Sequence, residues 1–321
     1  MIIISPVDHL AEAEALLEAG ADELYGGYVP EPWLENYSLL ASLNQRTFAD
    51  AQIASEADLA AIIRLVHAAG RRFALTLNAP FYSDGQLPML LDYVARMVAL
   101  GIDGLILADP GLLYRLRGRY PDLELHASTM AHISNSGALR FYAAQGIHRA
   151  ILPRHLTVAE MTAIATAVPE VRCDAFVLVG KCPNTEGLCT FHHVSPERIW
   201  PCEIPYAIEP ASSHRPSPVL QAAITRQSTW STTNRRHGCG LCAIPLLRRG
   251  GLHGLKLVGR GAATDQKVLN IRLVREFLEL AADAVDLDDY RRRAMAAHRR
   301  RFGADCHVNI CYYPEIMSDE S

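Results

Sequence analysis

The sequence predicts an α/β protein, a (β/α)8 barrel with a long cysteine-rich insertion after its seventh strand. A unit in which a helical segment ends in glycine and a short apolar strand follows recurs along the chain. Eight apolar strands alternate with helical patterns. Between residues 179 and 246 this regularity stops, and five of the eight cysteines lie there.

The recurring unit is clearest in EAGADELYGG, AAGRRFALTLN, ALGIDGLILAD, AQGIHRAILPR and RGGLHGLKLVGR. Glycine suits the left-handed backbone at a helix end, and it stands there at Gly20, Gly70, Gly101, Gly146 and Gly251. Near-continuous apolar runs are typical of parallel strands buried on both faces. The predicted strands are residues 2–5, 23–26, 73–78, 104–108, 123–127, 149–153, 174–179 and 255–259.

Helix boundaries are also legible. Asp109 followed by Pro110 is typical of a helix start, and Thr157 with Glu160 forms a capping-box pattern. We expect residues 1–283 to form the barrel, with residues 180–245 as its metal-cluster insertion. A helix over 266–283 closes the barrel, and residues 284–321 add a basic helix, with Met295 and Ala296 facing inward, and a tail.

The alternative fold is a doubly wound open sheet, which the absence of a glycine-rich turn after the first strand disfavours. The formal net charge of −4 argues against nucleic-acid binding by bulk charge, although a local basic patch stays open. The opening MIIISPVDHL does not resemble a signal peptide, and no apolar run is long enough for a membrane span. We therefore expect a cytoplasmic, reducing setting, where clustered cysteines more often bind metal than form disulfides.

The cysteines of the insertion follow the frame Cys182-x6-Cys189-x12-Cys202-x39-Cys242, with Cys239 as an alternative to Cys242. Four soft thiolates suit zinc or an iron–sulfur cluster. The alternative is that they are ordinary cysteines, buried as small apolar side chains. The pair Cys306-x4-Cys311 could also bind metal, but its spacing alone is a weak signal.

Active sites of (β/α)8 barrels lie at the carboxyl ends of the strands. The polar residues there include Asp8 and Asp109, which suit helix capping better than chemistry, and His126, which is as consistent with a structural role as with a catalytic one. An arginine in a barrel mouth usually meets a carboxylate or phosphate. The predicted catalytic residues are His126, Arg154, Arg260 and Asn78, and the predicted substrate-binding residues are Arg46 (in the long loop 29–55), Tyr28, Ser128, Thr129 and Lys181.

Several segments resemble the collagenase-like peptidase U-32 family. The opening MIIISPVDHLAEAEALLEAGADELYGG is similar to the start of that family. The further matches are LILADPGLLYRLRGRYPDLELHASTMAHISN, AILPRHLTVAEM, DAFV with the following glycine and Cys182, and LCAIPLLRRGGLHGLKLVGR. The similarity runs in order over nearly all of residues 1–283.

The resemblance implies a TIM barrel with a [4Fe–4S] cluster on Cys182, Cys189, Cys202 and Cys242. It also implies kinship with oxygen-independent hydroxylation proteins, which act on tRNA uridine, ribosomal RNA cytidine or a ubiquinone precursor, some with prephenate as the oxygen source. The chain departs from the family pattern at several positions. Asp174 and Val258 replace glutamates, Met130 replaces a glutamine, and the third cysteine lies in WPCEIPY. These changes leave the substrate open.

The sequence is consistent with three functions. The first is an iron–sulfur enzyme of the hydroxylase kind, acting on an RNA base or a small aromatic substrate, in which Arg154 and Arg260 hold a carboxylate and His126 moves a proton. The second is a peptidase or other hydrolase, although neither an HExxH nor a Gly-x-Ser-x-Gly motif is present. The third is a non-catalytic cluster-binding or zinc-binding subunit of a homo- or hetero-oligomer.

Overall fold

The structure is a computed structural model. It describes residues 1–37, 42–46, 48–180, 182, 185–188, 209, 215–233, 237–282 and 286–317. Cys189, Cys202 and Lys181 lie outside these ranges, so the predictions made for them stay predictions. No helix within the described ranges has both the length and the apolar character that a membrane crossing requires.

Eight parallel strands close into a barrel, as the sequence predicts. Each strand pairs with the next along the chain, and the last strand pairs with the first. Closure gathers the carboxyl ends of all the strands at one mouth. The strands are β1 (Ile2–Pro6), β2 (Glu23–Gly26), β3 (Arg72–Leu77), β4 (Gly104–Leu107), β5 (Glu124–Ala127), β6 (Arg149–Ile151), β7 (Arg172–Leu178) and β8 (Gly254–Leu257).

Helices connect the strands and begin where the predicted capping signals stand. Asp109 accepts a hydrogen bond from the backbone N–H of Leu112 at 2.6 Å, and Thr157 and Glu160 form the predicted capping box. The α-helices are α1 (Leu10–Glu18), α2 (Glu31–Asn36), α3 (Glu56–Ala68), α4 (Leu87–Ala99), α5 (Pro110–Leu116), α6 (Ser136–Ala144), α7 (Val158–Ala167), α8 (Pro218–Thr233), α9 (Ile244–Arg249), α10 (Thr264–Leu280) and α11 (Leu287–Phe302).

The turns from helix to strand use the left-handed backbone that the repeat predicts. Gly20 has a φ of +107° and Gly146 a φ of +88°, and each ends the helix that precedes a strand. A side chain is strained in this conformation, so the two positions favour glycine. The same sign of φ recurs at the other three glycines of the repeat.

Helix α8 was not predicted. The sequence PVLQAAITRQSTWSTT has no apolar stripe at helical spacing, which is the usual signal of a helix packed on a core. Val219 and Leu220, near its start, are exposed, as expected for a helix with little burial.

Helix α11 packs its buried face on the segment that leads into α9. Its inward side chains include Tyr290, Ala294 and His298, whereas Met295 and Ala296 are exposed. The expectation that the latter two face inward is wrong, because the helix is rotated so that the Tyr290 hydroxyl reaches backbone carbonyls of α10 and of the turn before α9. The division of the chain at residue 283 stays a prediction.

An ion network crosses the interior of the barrel. The Arg149 guanidinium on β6 lies 2.5 Å from a Glu23 oxygen on β2 and 2.7 Å from an Asp174 oxygen on β7. All three side chains are buried. Burial opposes ionisation of Asp174, but Arg149 and the His253 ring at 3.0 Å outweigh it and hold the pKa of Asp174 below its usual range. A single guanidinium thus holds two carboxylates in the buried interior.

Removing Arg149 tests this network. Arg149→Leu removes the guanidinium that pairs with both buried carboxylates, so we expect the free energy of unfolding to fall by about 3–5 kcal/mol. Arg72→Leu is the matched control, because the Arg72 side chain is 47% exposed and pairs with Glu124 at 3.1 Å. Exposed pairs contribute about 0–1 kcal/mol. Denaturant unfolding checks both, and equal losses would contradict the account.

The contribution of Asp174 to the free energy of unfolding depends on pH. Because the pKa of folded Asp174 is lowered, its contribution to stability is present above the unfolded pKa of about 3.9 and is lost as pH falls. The stability difference between wild type and Arg149→Leu therefore narrows as pH falls, because protonation relieves the buried carboxylates of the variant and, below about pH 4, wild type loses the contribution of Asp174.

Candidate active site at the barrel mouth

A cavity opens at the carboxyl ends of the strands. Its wall includes seven of the residues that the sequence singles out, namely Arg46, Asn78, Ser128, Thr129, Arg154, Cys182 and Arg260. It also includes residues that the sequence analysis did not single out as site residues, namely Tyr25, Gln45, Thr76, Glu186 and Lys256. The cavity thus lies at the barrel mouth, where the sequence predicts the site, and the roles of its residues stay predictions.

Arg260 ties the loop over residues 42–46 to the mouth. Its guanidinium donates to the Thr76 hydroxyl at 3.0 Å and to the Asn44 carbonyl at 2.5 Å. The Asn44 and Gln52 side-chain amides bond reciprocally at 2.8 and 2.9 Å, which fixes this loop. In the described part of the chain no carboxylate pairs with Arg260. Burial disfavours the charged guanidinium and lowers the pKa of Arg260. An anion that enters the cavity would offset this cost, so binding of an anion beside Arg260 is favoured.

Arg154 differs because its charge is already compensated. The guanidinium stacks over the Phe176 ring at 4.6 Å and donates to the Glu186 carboxylate and the Gly180 carbonyl. Although burial opposes its charge, Glu186 raises the pKa of Arg154. This pair fastens the short turn Glu186–Leu188, which lies within the cysteine-rich insertion, to the mouth.

Neutral polar groups complete the wall. The Asn78 amide donates to the Ser128 hydroxyl at 3.4 Å. Asn78 Oδ1 and Thr129 Oγ1 are buried and have no hydrogen-bond partner within the described ranges. Buried polar groups are normally satisfied. Two unsatisfied groups in the cavity that Arg260 also lines therefore indicate a place for a polar ligand.

The structure does not bring His126 to this wall. Its ring points into the barrel, where Nε2 lies 3.1 Å from a Glu124 oxygen, and its register partner is Arg149. Gly104 makes room for it, since a Cβ there would lie 2.8 Å from the His126 ring. Burial lowers the pKa of His126. The residue belongs to the buried interior, although it comes near the end of a strand.

Tyr28 also stays outside the cavity wall. Its ring lies against Tyr93 of α4 with centroids 6.3 Å apart, and its carbonyl accepts from the Tyr93 hydroxyl. Asp8 does not line the cavity either; its carboxylate pairs with Lys267 at 2.5 Å and accepts from the Gly261 N–H at 2.6 Å. These positions follow strands in sequence, but local geometry turns them toward the surrounding helices.

The described cysteines of the insertion lie near the end of β7. Cys182 lines the cavity. The backbone of Cys239 bridges to Leu178 on one side and to Cys311 on the other, and Cys242 lies in the turn before α9. A helix that precedes β8 begins at the mouth, so Cys242 stands at the same end of the barrel as Cys182.

The four-cysteine centre itself is not visible in the described ranges. No group of three or more histidine, cysteine or carboxylate side chains converges there as a metal site, and two of the four predicted ligands lie outside them. Burial raises the pKa of the Cys242 thiol to about 11 and that of Cys239 further. Cys239 is 4% exposed, whereas Cys242 is partly exposed.

Lys256 is the residue that the sequence analysis missed. It is the inward-facing lysine of β8, 7% exposed, with Nζ 3.5 Å from the centre of the Tyr25 ring. Burial lowers its pKa to about 7, with Arg149 and Arg260 acting in the same direction and Glu23 and Asp174 opposing them. A signal was present in the composition, because the chain has only three lysines among 31 basic residues.

Comparison with known proteins adds family information. A model of peptidase family U32 matches residues 8–313. The chain is 29% identical over 188 residues to tRNA hydroxylation protein P of Escherichia coli (strain K12), which covers 58% of this chain and 38% of that protein. It is 26% identical over 159 residues to 23S rRNA 5-hydroxycytidine C2501 synthase of the same organism, covering 47% of this chain and 24% of the synthase.

The matches span less than half the length of these two relatives. Among solved structures, that of the U32 peptidase Mk0906 superposes with a TM-score of 0.50, covering 81% of this chain and 93% of that one, at 14% identity. This likeness shows a shared fold.

A substitution at Gly27 tests the geometry of the mouth. A Cβ there would clash with the Asn44 amide and lie 2.8 Å from an Arg260 nitrogen. We expect Gly27→Ala to lower the free energy of unfolding by about 1–3 kcal/mol, because the side chains it displaces are held by hydrogen bonds. In the control Gly85→Ala the nearest atom is 4.0 Å away, so a change within about 0.5 kcal/mol is expected. Two equal denaturation curves would contradict this packing.

Proposed function

Because the chain belongs to peptidase family U32, we propose that it is an enzyme of the RNA-hydroxylating kind, with its reaction at the barrel mouth. Two of the matched relatives are named for hydroxylation of tRNA and of a ribosomal RNA cytidine. One structural observation supports the site: the cavity joins the Arg260 guanidinium to buried polar groups. Among the described residues Arg260 has no ion pair, and Asn78 Oδ1 and Thr129 Oγ1 accept no hydrogen bond. Reaction sites of this fold lie at that end of the strands.

The wall residues have distinct proposed roles. Arg260 holds an anionic group, either an RNA phosphate or the carboxylate of a small co-substrate such as prephenate, since guanidinium geometry matches both. Asn78 Oδ1 and Thr129 Oγ1 orient polar atoms of the reacting ligand. Arg46 lies at the wall, at the end of the loop that Arg260 holds. Arg154, compensated by Glu186, positions the insertion more than it binds substrate.

We further propose that the insertion holds a [4Fe–4S] cluster on Cys182, Cys189, Cys202 and Cys242, with zinc as the alternative. Four thiolates fit either group. Cys182 at the cavity wall and Cys242 at the same end of the barrel support a centre beside the mouth. Cys239, more deeply buried and paired through its backbone with β7, suits a structural role better. Such a cluster supplies electron transfer when it is bound.

Metal content distinguishes these alternatives. Protein purified without oxygen is expected to carry about four iron atoms per chain, and serine substitution of Cys182, Cys189, Cys202 or Cys242 removes a ligand and lowers this content severalfold. Cys306→Ser is the control, and Cys239→Ser should also keep its iron. Iron and zinc analysis with acid-labile sulfide checks the result. Wild-type protein with one zinc and no iron would contradict the cluster.

The RNA itself reports the activity. In cells that lack and then regain this chain, nucleoside mass spectrometry should show one RNA nucleoside that gains an oxygen atom only when the chain is present. Arg260→Gln loses a charged hydrogen bond of about 1.5–3 kcal/mol, so the modified fraction should fall by more than tenfold. Arg64→Gln, an exposed change on α3, is the control.

Unchanged RNA in every strain would contradict the proposal. The same anaerobic sample tested against unstructured peptides examines the peptidase alternative. Peptide cleavage that Arg260→Gln abolishes, together with unaltered nucleosides, would assign the cavity to hydrolysis instead.

A further inference from the structure

Lys256 lies at the floor of the cavity, and no carboxylate of the described residues pairs with its amine. It stands between β1 and β7, where its register partners are Ile4 and Phe176. The side chain is more than nine-tenths buried and lines the cavity. Within the described ranges Nζ forms no hydrogen bond and no ion pair, and its close contact is the face of the Tyr25 ring.

Another buried lysine of the chain shows what a structural lysine looks like here. Lys267 is 3% exposed, and its amine lies 2.5 Å from Asp8 and 2.7 Å from Glu12. A buried ammonium normally requires such partners. The carboxylates that act most on Lys256 are those of Glu23 and Asp174. Both already pair with Arg149, so the Lys256 amine faces the cavity without them.

The environment of Lys256 favours the neutral amine. Burial has the largest effect, and the guanidinium groups of Arg149 and Arg260 add to it. Glu23 and Asp174 act in the opposite direction without restoring the usual pKa, which becomes about 7. A substantial fraction of the amine is therefore unprotonated and nucleophilic near neutral pH.

The chain otherwise strongly prefers arginine. Three of its 31 basic residues are lysines, at positions 181, 256 and 267. Arginine does not lose its proton in proteins, whereas a buried lysine does so readily. A lysine without a partner at the floor of a cavity therefore suits a role that needs a removable proton.

A matching group for an anion stands four residues later. Arg260 lies just beyond the end of β8, lines the same cavity and acts electrostatically on the Lys256 amine. It has no carboxylate partner in the described part of the chain. Ile106, Ile151 and Val258 supply apolar wall between polar groups. The Lys256 amine can react with a carbonyl, and the Arg260 guanidinium can bind a carboxylate. Together they suit a small molecule that has a carbonyl next to a carboxylate.

We propose that Lys256 binds the carbonyl carbon of a small 2-oxo carboxylate as an imine, while Arg260 holds the carboxylate. The Nζ lone pair forms a bond to the carbonyl carbon, the carbonyl oxygen leaves as water with the two amine protons, and no electrons are transferred. The imine is reversible by hydrolysis. This inference rests on the proposed function only in placing the reacting ligand in the same cavity.

Reductive trapping tests the imine directly. The full-length protein, prepared without oxygen, is incubated at neutral pH with pyruvate and sodium cyanoborohydride, and the intact mass is measured. We expect one pyruvate to attach per chain, and peptide mapping should place it on Lys256. The peptides with Lys181 and Lys267 are internal controls in the same molecule and should stay unmodified.

The ligand class is tested by comparing probes. Acetone has the carbonyl without the carboxylate, and lactate has the carboxylate without the carbonyl. Neither should label at the concentration where pyruvate does. Loss of one charge-assisted contact corresponds to about tenfold in affinity, so Arg260→Gln should raise the half-saturating pyruvate concentration by about that factor. Lys256→Arg keeps the charge and should abolish labelling, with unchanged circular dichroism showing that it is folded.

The outcomes separate this inference from the proposed function. No adduct on Lys256 in wild-type protein, or equal labelling of all three lysines, overturns the inference even if the RNA gains its oxygen atom. Equal labelling by acetone overturns the 2-oxo acid class. An adduct on Lys256 supports the inference even if RNA is unchanged, because trapping requires neither RNA nor iron.

Discussion

The buried contact between Arg149 and the carboxylates of Glu23 and Asp174 is the constraint on which the rest of the barrel depends. A closed parallel barrel must fill its interior, and here part of the filling is charged. Leaving any of these ions alone would cost several kcal/mol, so the three must stay together. By joining β2, β6 and β7, they hold strands from opposite sides of the cylinder in one register.

That constraint also determines the charge at the mouth. Because Arg149 takes both carboxylates, neither Lys256, one level above, nor Arg260 has a carboxylate partner among the residues that the structure describes. The deep charges are thus two carboxylates around one guanidinium, and the groups that line the cavity above them include the cations Lys256 and Arg260. Arg154 is the exception, since Glu186 neutralises it and fastens the insertion there. The same arrangement favours small anions at the site and gives the lysine an amine that can lose its proton.

Features that depend on a few neighbouring residues can be predicted from this sequence, whereas features that depend on how distant strands pack cannot. Glycine after each helix and the caps at Asp109 and Thr157 act within a few residues, so pattern alone identifies them. The strand ends were predicted well, but which side chains turn into the cavity depends on register, and His126 therefore lies deeper than its place in sequence suggests. The inward direction of Lys256 cannot be predicted from its apolar neighbours in sequence, because it depends on the register of β8. The family resemblance named the cysteine frame, of which Cys189 and Cys202 lie outside the described residues.

The most direct test of the account is the ionisation of Lys256 in the folded protein. With three lysines in the chain, labelling lysine with carbon-13 at Cε gives at most three resonances to follow against pH. We predict that one titrates near pH 7 and is absent from Lys256→Arg, while the ordinary lysine pKa is about 10.4. If no resonance titrates below about pH 9, the mouth is not the uncompensated cationic site described here.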